Sequence, residues 1–231
     1  MDFQNRHVVV TGGTGALGGA VVGALVAAGA VCYVPYLVAA EAEHFPLKDH
    51  AQVKLMAAID LTDEAAVARL YGGVSGLWAS IHLAGGFAMS AVAATSKADL
   101  MKQVSLNLVT AFLCCGAAVN AMAGAGGRIV NVAARPALEW RTGAGMAAYT
   151  ASKAGVAALT AALAEEVAKS GILVNAVAPS IMDTPANRAA MPQADFAAWP
   201  KVEEVAATIL FLASPDNKVS RGGIVPVYGR S

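Results

Sequence analysis

Two patterns in this 231-residue chain combine residue types and spacings that can do chemistry. The first is Tyr149-Thr-Ala-Ser-Lys153. Residues four apart share a helix face, so the Lys153 ammonium can sit beside the Tyr149 phenol. A neighbouring cation favours phenolate and lowers the tyrosine pKa, which suits proton transfer near neutral pH. Taken alone, the same spacing is common on ordinary helices and favours that plainer reading. The second is Thr11-Gly-Gly-Thr-Gly-Ala-Leu-Gly18, between an apolar stretch and a helical one. Gly12, Gly15 and Gly18 let the backbone turn sharply. Free N–H groups around Thr14, Ala16 and Leu17 can then meet a pyrophosphate at the helix start. A tight turn with no ligand is the alternative.

Both patterns need elements to hold them. The chain alternates strand and helix: strands over 6–11, 31–36, 53–59, 78–84, 128–133, 172–178 and 223–227, and helices over 16–28, 63–72, 97–122, 147–169 and 202–213. Thr62 or Asp63 can cap the second helix. This alternation predicts an α/β fold, a doubly wound parallel sheet with helices on both faces, and a single domain over 1–231. In such a sheet ligands bind beyond the carboxyl ends of the strands, where strand order reverses. Asp60 and Leu61 fall at one such end. The Asp60 carboxylate can accept from an adenine amino group or serve as a cap or loop acid, and spacing leaves both open. Ala84-Gly85-Gly86 falls at another, where small residues admit a flat ring or ribose or simply make a plain turn.

Composition narrows the partners. The chain is 57% apolar, 14% charged and formally neutral, so it has no basic excess to neutralise nucleic acid. No charged residue lies between His7 and Glu41, but the glycines and Pro35 within that run favour a buried βαβ unit over a membrane span. Three cysteines, two of them adjacent, form no disulfide framework and suggest a reducing cytoplasm. The opening residues lack a secretion signal's form. His7, His44, His50 and His82 are scattered without metal-ligand spacing, so no metal is expected.

In this order the motifs resemble the short-chain dehydrogenase/reductase family over nearly the whole chain. The resemblance rests on the Gly-rich loop, Asp60, Ala84-Gly85, Asn107, Arg128-Ile-Val-Asn-Val132, Tyr149 with Lys153, Val174-Asn-Ala-Val-Ala-Pro179 and Thr184. It implies an NAD(P)H-dependent oxidoreductase Rossmann fold moving hydride to or from a small carbonyl or imine-like substrate. Tyr149 would pass the proton, Lys153 would lower its pKa and hold the nicotinamide ribose, and Asn107 would help maintain a relay water. Pro179, Ser180, Ile181 and Thr184 would lie along the nicotinamide carboxamide and phosphates. Helices 97–122 and 147–169 would build a dimer or homotetramer.

Three departures bear on that expectation. Position 16 is Ala, so the Gly-rich loop is a variant. The strand leading to the site ends Ala133-Ala134-Arg135 where the family's common pattern ends in two serines, so a hydroxyl donor to the substrate is missing and Arg135 or Thr142 are its candidate replacements. Tyr36 stands where NAD users carry an acid, and no base is nearby, so the choice between NAD and NADP stays open. The missing serine, Gly13-Thr-Gly-Ala-Leu-Gly18, Ala84-Gly-Gly86 and the segment 183–199 resemble a branch typified by quinonoid dihydropteridine reductase, whose acceptor is already activated. A catalytically impaired NAD(P)-binding sensor or partner protein is the rival reading. Trp140, Met146, Met191, Phe196 and Trp199 either shape an apolar substrate pocket or simply cover the sheet, and their place at the strands' carboxyl ends favours the pocket.

Overall fold

The computed structural model describes residues 1–231. The chain begins with β1 (His7–Thr11), α1 (Ala16–Ala27), β2 (Val31–Pro35), α2 (Ala39–Glu43), β3 (Val53–Met56), α3 (Glu64–Gly72) and β4 (Leu77–His82). It continues through α4 (Lys97–Val104), a π-helical turn (Ser105–Val109), α5 (Thr110–Ala121), β5 (Gly127–Val132), α6 (Ala147–Glu166), β6 (Ile172–Pro179), α7 (Pro185–Ala190), α8 (Val202–Ala213) and β7 (Ile224–Val227).

All seven strands pair in parallel in the order β3-β2-β1-β4-β5-β6-β7. This is the doubly wound α/β sheet that the alternation of elements predicts. Its strands are apolar on both faces because helices cover both. Val8 and Val10 pack toward α1 and α8 with Val21, Leu25 and Ile209, while Val9 packs toward α3, α5 and α6 with Leu70, Cys114 and Leu163. The stretch from His7 to Glu41 is therefore β1–α1–β2 and the start of α2. Lys97–Ala121, interrupted by its π turn, is the one helix long and apolar enough to cross a membrane. Its buried residues include Thr110, Ala111, Cys114, Cys115 and Ala118, and α5 packs against α3 and β4.

Two boundaries and one helix interior differ from expectation. β3 stops at Met56 because Ala58 adopts a positive φ of 54° and turns the chain, so Asp60 lies beyond the strand. The long helix contains a π turn, a device often found at functional positions. Helix α6 ends at Glu166, and a short 3-10 turn then leads to Gly171, which reverses the chain at φ 73°. Of the two cap candidates for α3, Asp63 does it: its Oδ1 accepts from Ala66 N at 2.8 Å. Helices α2 and α7 were not foreseen. Each is only one to two turns long, too short for an apolar period to show.

Candidate active site

Strand order reverses between β1 and β4, so the crevice at their carboxyl ends is lined by the two glycine-bearing loops. The loops touch. Leu83 N donates to Thr11 O at 3.1 Å, and a Cβ on Gly12, whose φ is +66°, would lie 2.7 Å from Ala84 N. Only glycine fits there. Gly18 is as tightly placed against Gly12 and Gly13, which brings the first turn of α1 onto the loop. Gly15 is the exposed N-cap of α1. No side chain caps it and no acid sits in the first turn, so the helix's positive end opens on the crevice. These features fit a dinucleotide pyrophosphate, and Gly12, Thr14, Gly15, Ala16, Leu17 and Gly18 would hold it.

Further along the crevice, the π turn places Asn107, 2% exposed, against the loop after β4. Asn107 Oδ1 accepts from Gly86 N at 3.0 Å, and its Nδ2 donates to Gly86 O at 2.9 Å and Ser152 Oγ at 3.1 Å. Ser152 Oγ donates to Tyr149 O at 2.7 Å, which ties this clamp to α6. A Cβ on Gly85 would lie 2.5 Å from Asn107 Oδ1 and 3.4 Å from Lys153 Nζ. Asn107, Lys153 and the loop 84–86 therefore meet at one place.

Lys153 and Tyr149 share the face of α6, but their electrostatics differ from the sequence expectation. Lys153 Nζ donates to Val132 O at 2.8 Å, and burial pushes its pKa down to about 8. Burial pushes the Tyr149 phenol up to about 12. Desolvation is the one cause acting on the phenol, so the lowering by Lys153 that the spacing suggests is not seen in this arrangement. The Tyr149 ring also packs edge-on against Phe87, with centroids 5.0 Å apart. Phe87 itself is exposed, and sequence reading missed it, since a lone aromatic in a loop carries no periodic signal.

The proposed substitutes for the missing serine are engaged elsewhere. Ala134 is buried and carries no donor. Arg135 Nε pairs with Glu139 Oε2 at 2.8 Å, and its guanidinium lies over the Tyr228 ring. Thr142 Oγ1 donates to Glu139 O at 2.8 Å. Trp140 is largely exposed and donates to Ala137 O.

At the other end of the crevice, Gly13 sits against Val34 of β2, so the end of β2 borders the Gly-rich loop. Ile59 N donates to Tyr36 O at 3.1 Å and brings the Asp60–Leu61 turn alongside. Asp60 Oδ1 accepts from Thr62 N and Oγ1, which lowers its pKa and leaves Oδ2 without a protein partner. Glu41 folds back from α2, and its Oε2 accepts from Leu37 N at 2.9 Å and Val38 N at 3.2 Å. Glu41 is the next acid after Tyr36 in sequence, and its Oε2 is taken by these two backbone N–H groups. A glutamate three residues past a helix start is a capping signal that could have located it.

Pro179 ends β6, and Ser180 Oγ donates to Tyr228 O at 2.9 Å. Ile181 is exposed, and Thr184 caps α7 through Asn187 N. Phe196 and Trp199 do not meet Tyr149 in one pocket. They line a cleft of about 850 Å³ with Asp183, Arg188, Lys201 and Arg230, while Met146 lines a separate small cavity. His82 is a core histidine. Burial lowers its pKa to about 4, and its ring nitrogens meet Asn131, Ser80 and Tyr71. No cluster of three metal-ligating side chains is present.

Comparison with known proteins agrees with the fold. The family model described as short chain dehydrogenase matches residues 6–195. A solved short-chain type dehydrogenase/reductase from Mycobacterium ulcerans is 25% identical with a TM-score of 0.89, covering 100% of this chain and 90% of that one. ElxO with NADP bound is 22% identical with a TM-score of 0.88, covering 98% of each chain. A tyrosine-to-phenylalanine variant of ElxO with NADPH bound gives the same values.

Proposed function

The chain belongs to the short-chain dehydrogenase family and is an NAD(P)-dependent oxidoreductase, and from that premise we propose that Tyr149 exchanges a proton with a small, already activated carbonyl or imine-like substrate. The observation that carries the reading is the convergence of Lys153, Asn107 and the loop 84–86 beside the helix face that bears Tyr149.

A bound nicotinamide dinucleotide supplies or accepts the hydride, which is the hard part of the chemistry. The chain's own residues do the rest. Gly12 to Gly18 hold the pyrophosphate, Asp60 and Leu61 the adenine, and Ala84 to Gly86 the flat face of the nucleoside. Pro179, Ser180, Ile181 and Thr184 line its nicotinamide end. Lys153 binds the nicotinamide ribose and, by turning from Val132 O toward the phenol, would bring the Tyr149 pKa down. Asn107 fixes the loop and the start of α6 relative to each other. Tyr149 gives its proton to the substrate oxygen or nitrogen during reduction and takes it back in the reverse direction.

The buried, donor-free Ala134 supports an activated acceptor, because an unactivated ketone would lack a second hydrogen bond to its developing oxyanion. The same observation favours the second reading, a quinonoid dihydropterin-type acceptor. Glu41 and Asp60 together place two carboxylates at the adenosine end of the crevice. Lys48, the cation that follows α2, donates to Glu43 O. That balance favours the ribose hydroxyls of NADH over the 2′-phosphate of NADPH.

We also read the chain as one domain. The exposed Phe112, Leu100 and Met101 on Lys97–Ala121 suit a homo-oligomer, and the three free, buried cysteines suit a reducing cytoplasm. Titration with each dinucleotide, followed by a carbonyl and quinone screen of wild type and Tyr149→Phe, tests the function. A protein that binds neither dinucleotide would refute it.

A further inference from the structure

Two large apolar side chains on the loop after β4 stand beside the proton donor and are left bare. Phe87 is 63% exposed although its ring packs edge-on against Tyr149, with centroids 5.0 Å apart. Met89 is 66% exposed, and a Cβ on Gly145 would lie 3.4 Å from its Cε, so its methyl reaches the loop that leads into α6. On that same connection stands Trp140, 75% exposed, in the 3-10 turn Trp140–Gly143. The last residue of the turn, Gly143, is pressed against the side chain of Thr150, next to Tyr149. Trp140 Nε1 donates to Ala137 O, which spends the one polar group of its ring. Single exposed apolar side chains are ordinary, but several gathered on the loops around a site mark a surface that takes something apolar.

Charge is absent from the same surroundings. The segments 83–95, 142–152 and 172–182 carry no charged residue. Between β5 and α6, Arg135 is paired with Glu139, and Arg141 is the one charge left. Charges gather instead in the separate cleft of Asp183, Arg188, Lys201, Glu204 and Arg230, which neither Phe87 nor Met89 lines. A polar ring with amide and amino edges finds few side-chain partners on 83–95, because the Ser90 and Thr95 hydroxyls turn to Ala91 O.

We propose that Phe87, Met89 and Trp140 form an uncharged apolar mouth that takes the neutral hydrocarbon body of the substrate, while its reacting carbonyl or imine lies at Tyr149. The size of that body, beyond the reacting group, then sets the specificity. The occupant follows from continuity with the site: Phe87 touches Tyr149 itself, so what covers the mouth also reaches the proton donor. The proposal rests on the reading of Tyr149 given above, although the apolar mouth can be tested without it.

The test uses biacetyl and its straight-chain homologues with two and four more methylenes, which keep one activated dicarbonyl and lengthen only the hydrocarbon. NADH or NADPH is the hydride donor. In wild type kcat/KM is expected to rise about twofold or more per added methylene. Met89→Ser and Trp140→Ser, both at exposed positions, should each flatten that rise. Val219→Ser, at an exposed apolar residue between α8 and β7, should keep it. A rate that does not rise with length in wild type overturns the proposal, as does a rise undiminished in both mouth variants or lost equally in Val219→Ser. So does a 2-oxo acid of matched length that outruns the diketone in wild type and loses its lead in Arg141→Gln. If wild type reduces none of the diketones, the functional reading fails, and binding of the neutral dye N-phenyl-1-naphthylamine decides the mouth. Its fluorescence should rise on wild type and fall about threefold or more in both mouth variants; equal dye binding overturns the proposal. A smaller oligomer in Met89→Ser or Trp140→Ser by sedimentation would give the mouth to a second copy of the chain, and overturns it as well.

Discussion

Asn107 grips both backbone groups of Gly86, accepting from its N–H at 3.0 Å and donating to its carbonyl at 2.9 Å. This pair of hydrogen bonds is made from the π turn Ser105–Val109, and a side chain at Gly85 would collide with the Asn107 amide. Replacing Asn107 by Ala leaves two backbone groups and Ser152 Oγ without their partner. The variant should lose about 1–3 kcal/mol of stability in denaturant titration. It should also turn over about tenfold or more slowly, because the loop that seats the nucleoside is no longer fixed. Wild-type stability and turnover in Asn107→Ala would show the clamp to be incidental.

Lys153 predicts a pH effect on stability. Its folded pKa of about 8 lies below the ordinary 10.5, so the folded state binds fewer protons than the unfolded state between those values. Burial of the ammonium therefore costs stability fully below pH 8, and that cost is removed as pH rises toward 10.5. Lys153→Met should melt several degrees higher than wild type at pH 7, and its advantage should shrink above pH 8. Thermal melts at pH 7 and 9.5 check this. An advantage that is absent at pH 7 or grows with pH is the contrary result. Activity should be lost in the same variant, a trade of function for stability.

Ala134 is small, buried and placed where the family's common pattern carries a hydroxyl. Ala134→Ser adds one donor, so reduction of an unactivated ketone should quicken by about tenfold or more. Reduction of a quinone or iminium-like acceptor should change little, since that acceptor needs less polarisation. Steady-state rates on one substrate of each kind are the check. Equal gains on both would remove the argument for an activated acceptor.

Glu41 folds back onto the N–H groups of Leu37 and Val38 at the end of β2. Wild type is expected to bind NADH more tightly than NADPH, and Glu41→Ala to move the ratio of the two dissociation constants by about tenfold toward NADPH. Nicotinamide fluorescence titrations measure both constants directly. A ratio unchanged by the substitution would mean that Glu41 only caps its helix.

Most of the scaffold was legible because burial on both faces writes long apolar strands and because glycine marks the turns where backbone meets backbone. Gly12 and Gly18 stand where a side chain would collide, so their positions could be read from type alone. The π turn could not, since its residues Ser105-Leu-Asn-Leu-Val109 read as ordinary helix. Phe87 was missed because its contact with Tyr149 joins a loop to a separate helix, and no local period encodes that. Glu41 was within reach of sequence reading, because its contact is local and a glutamate three residues into a helix is a capping signal. The Tyr149–Lys153 spacing was read correctly as a shared face, but burial, which the spacing does not show, sets the direction of both pKa shifts.

The central claim is that Tyr149 moves the proton while the crevice holds the dinucleotide independently of it. Tyr149→Phe removes one oxygen and keeps the ring that packs on Phe87. The account predicts that turnover of the best carbonyl, imine or quinone substrate falls by about a hundredfold or more, with the dinucleotide dissociation constant within about twofold of wild type. Turnover that survives in Tyr149→Phe with the dinucleotide still bound would contradict it.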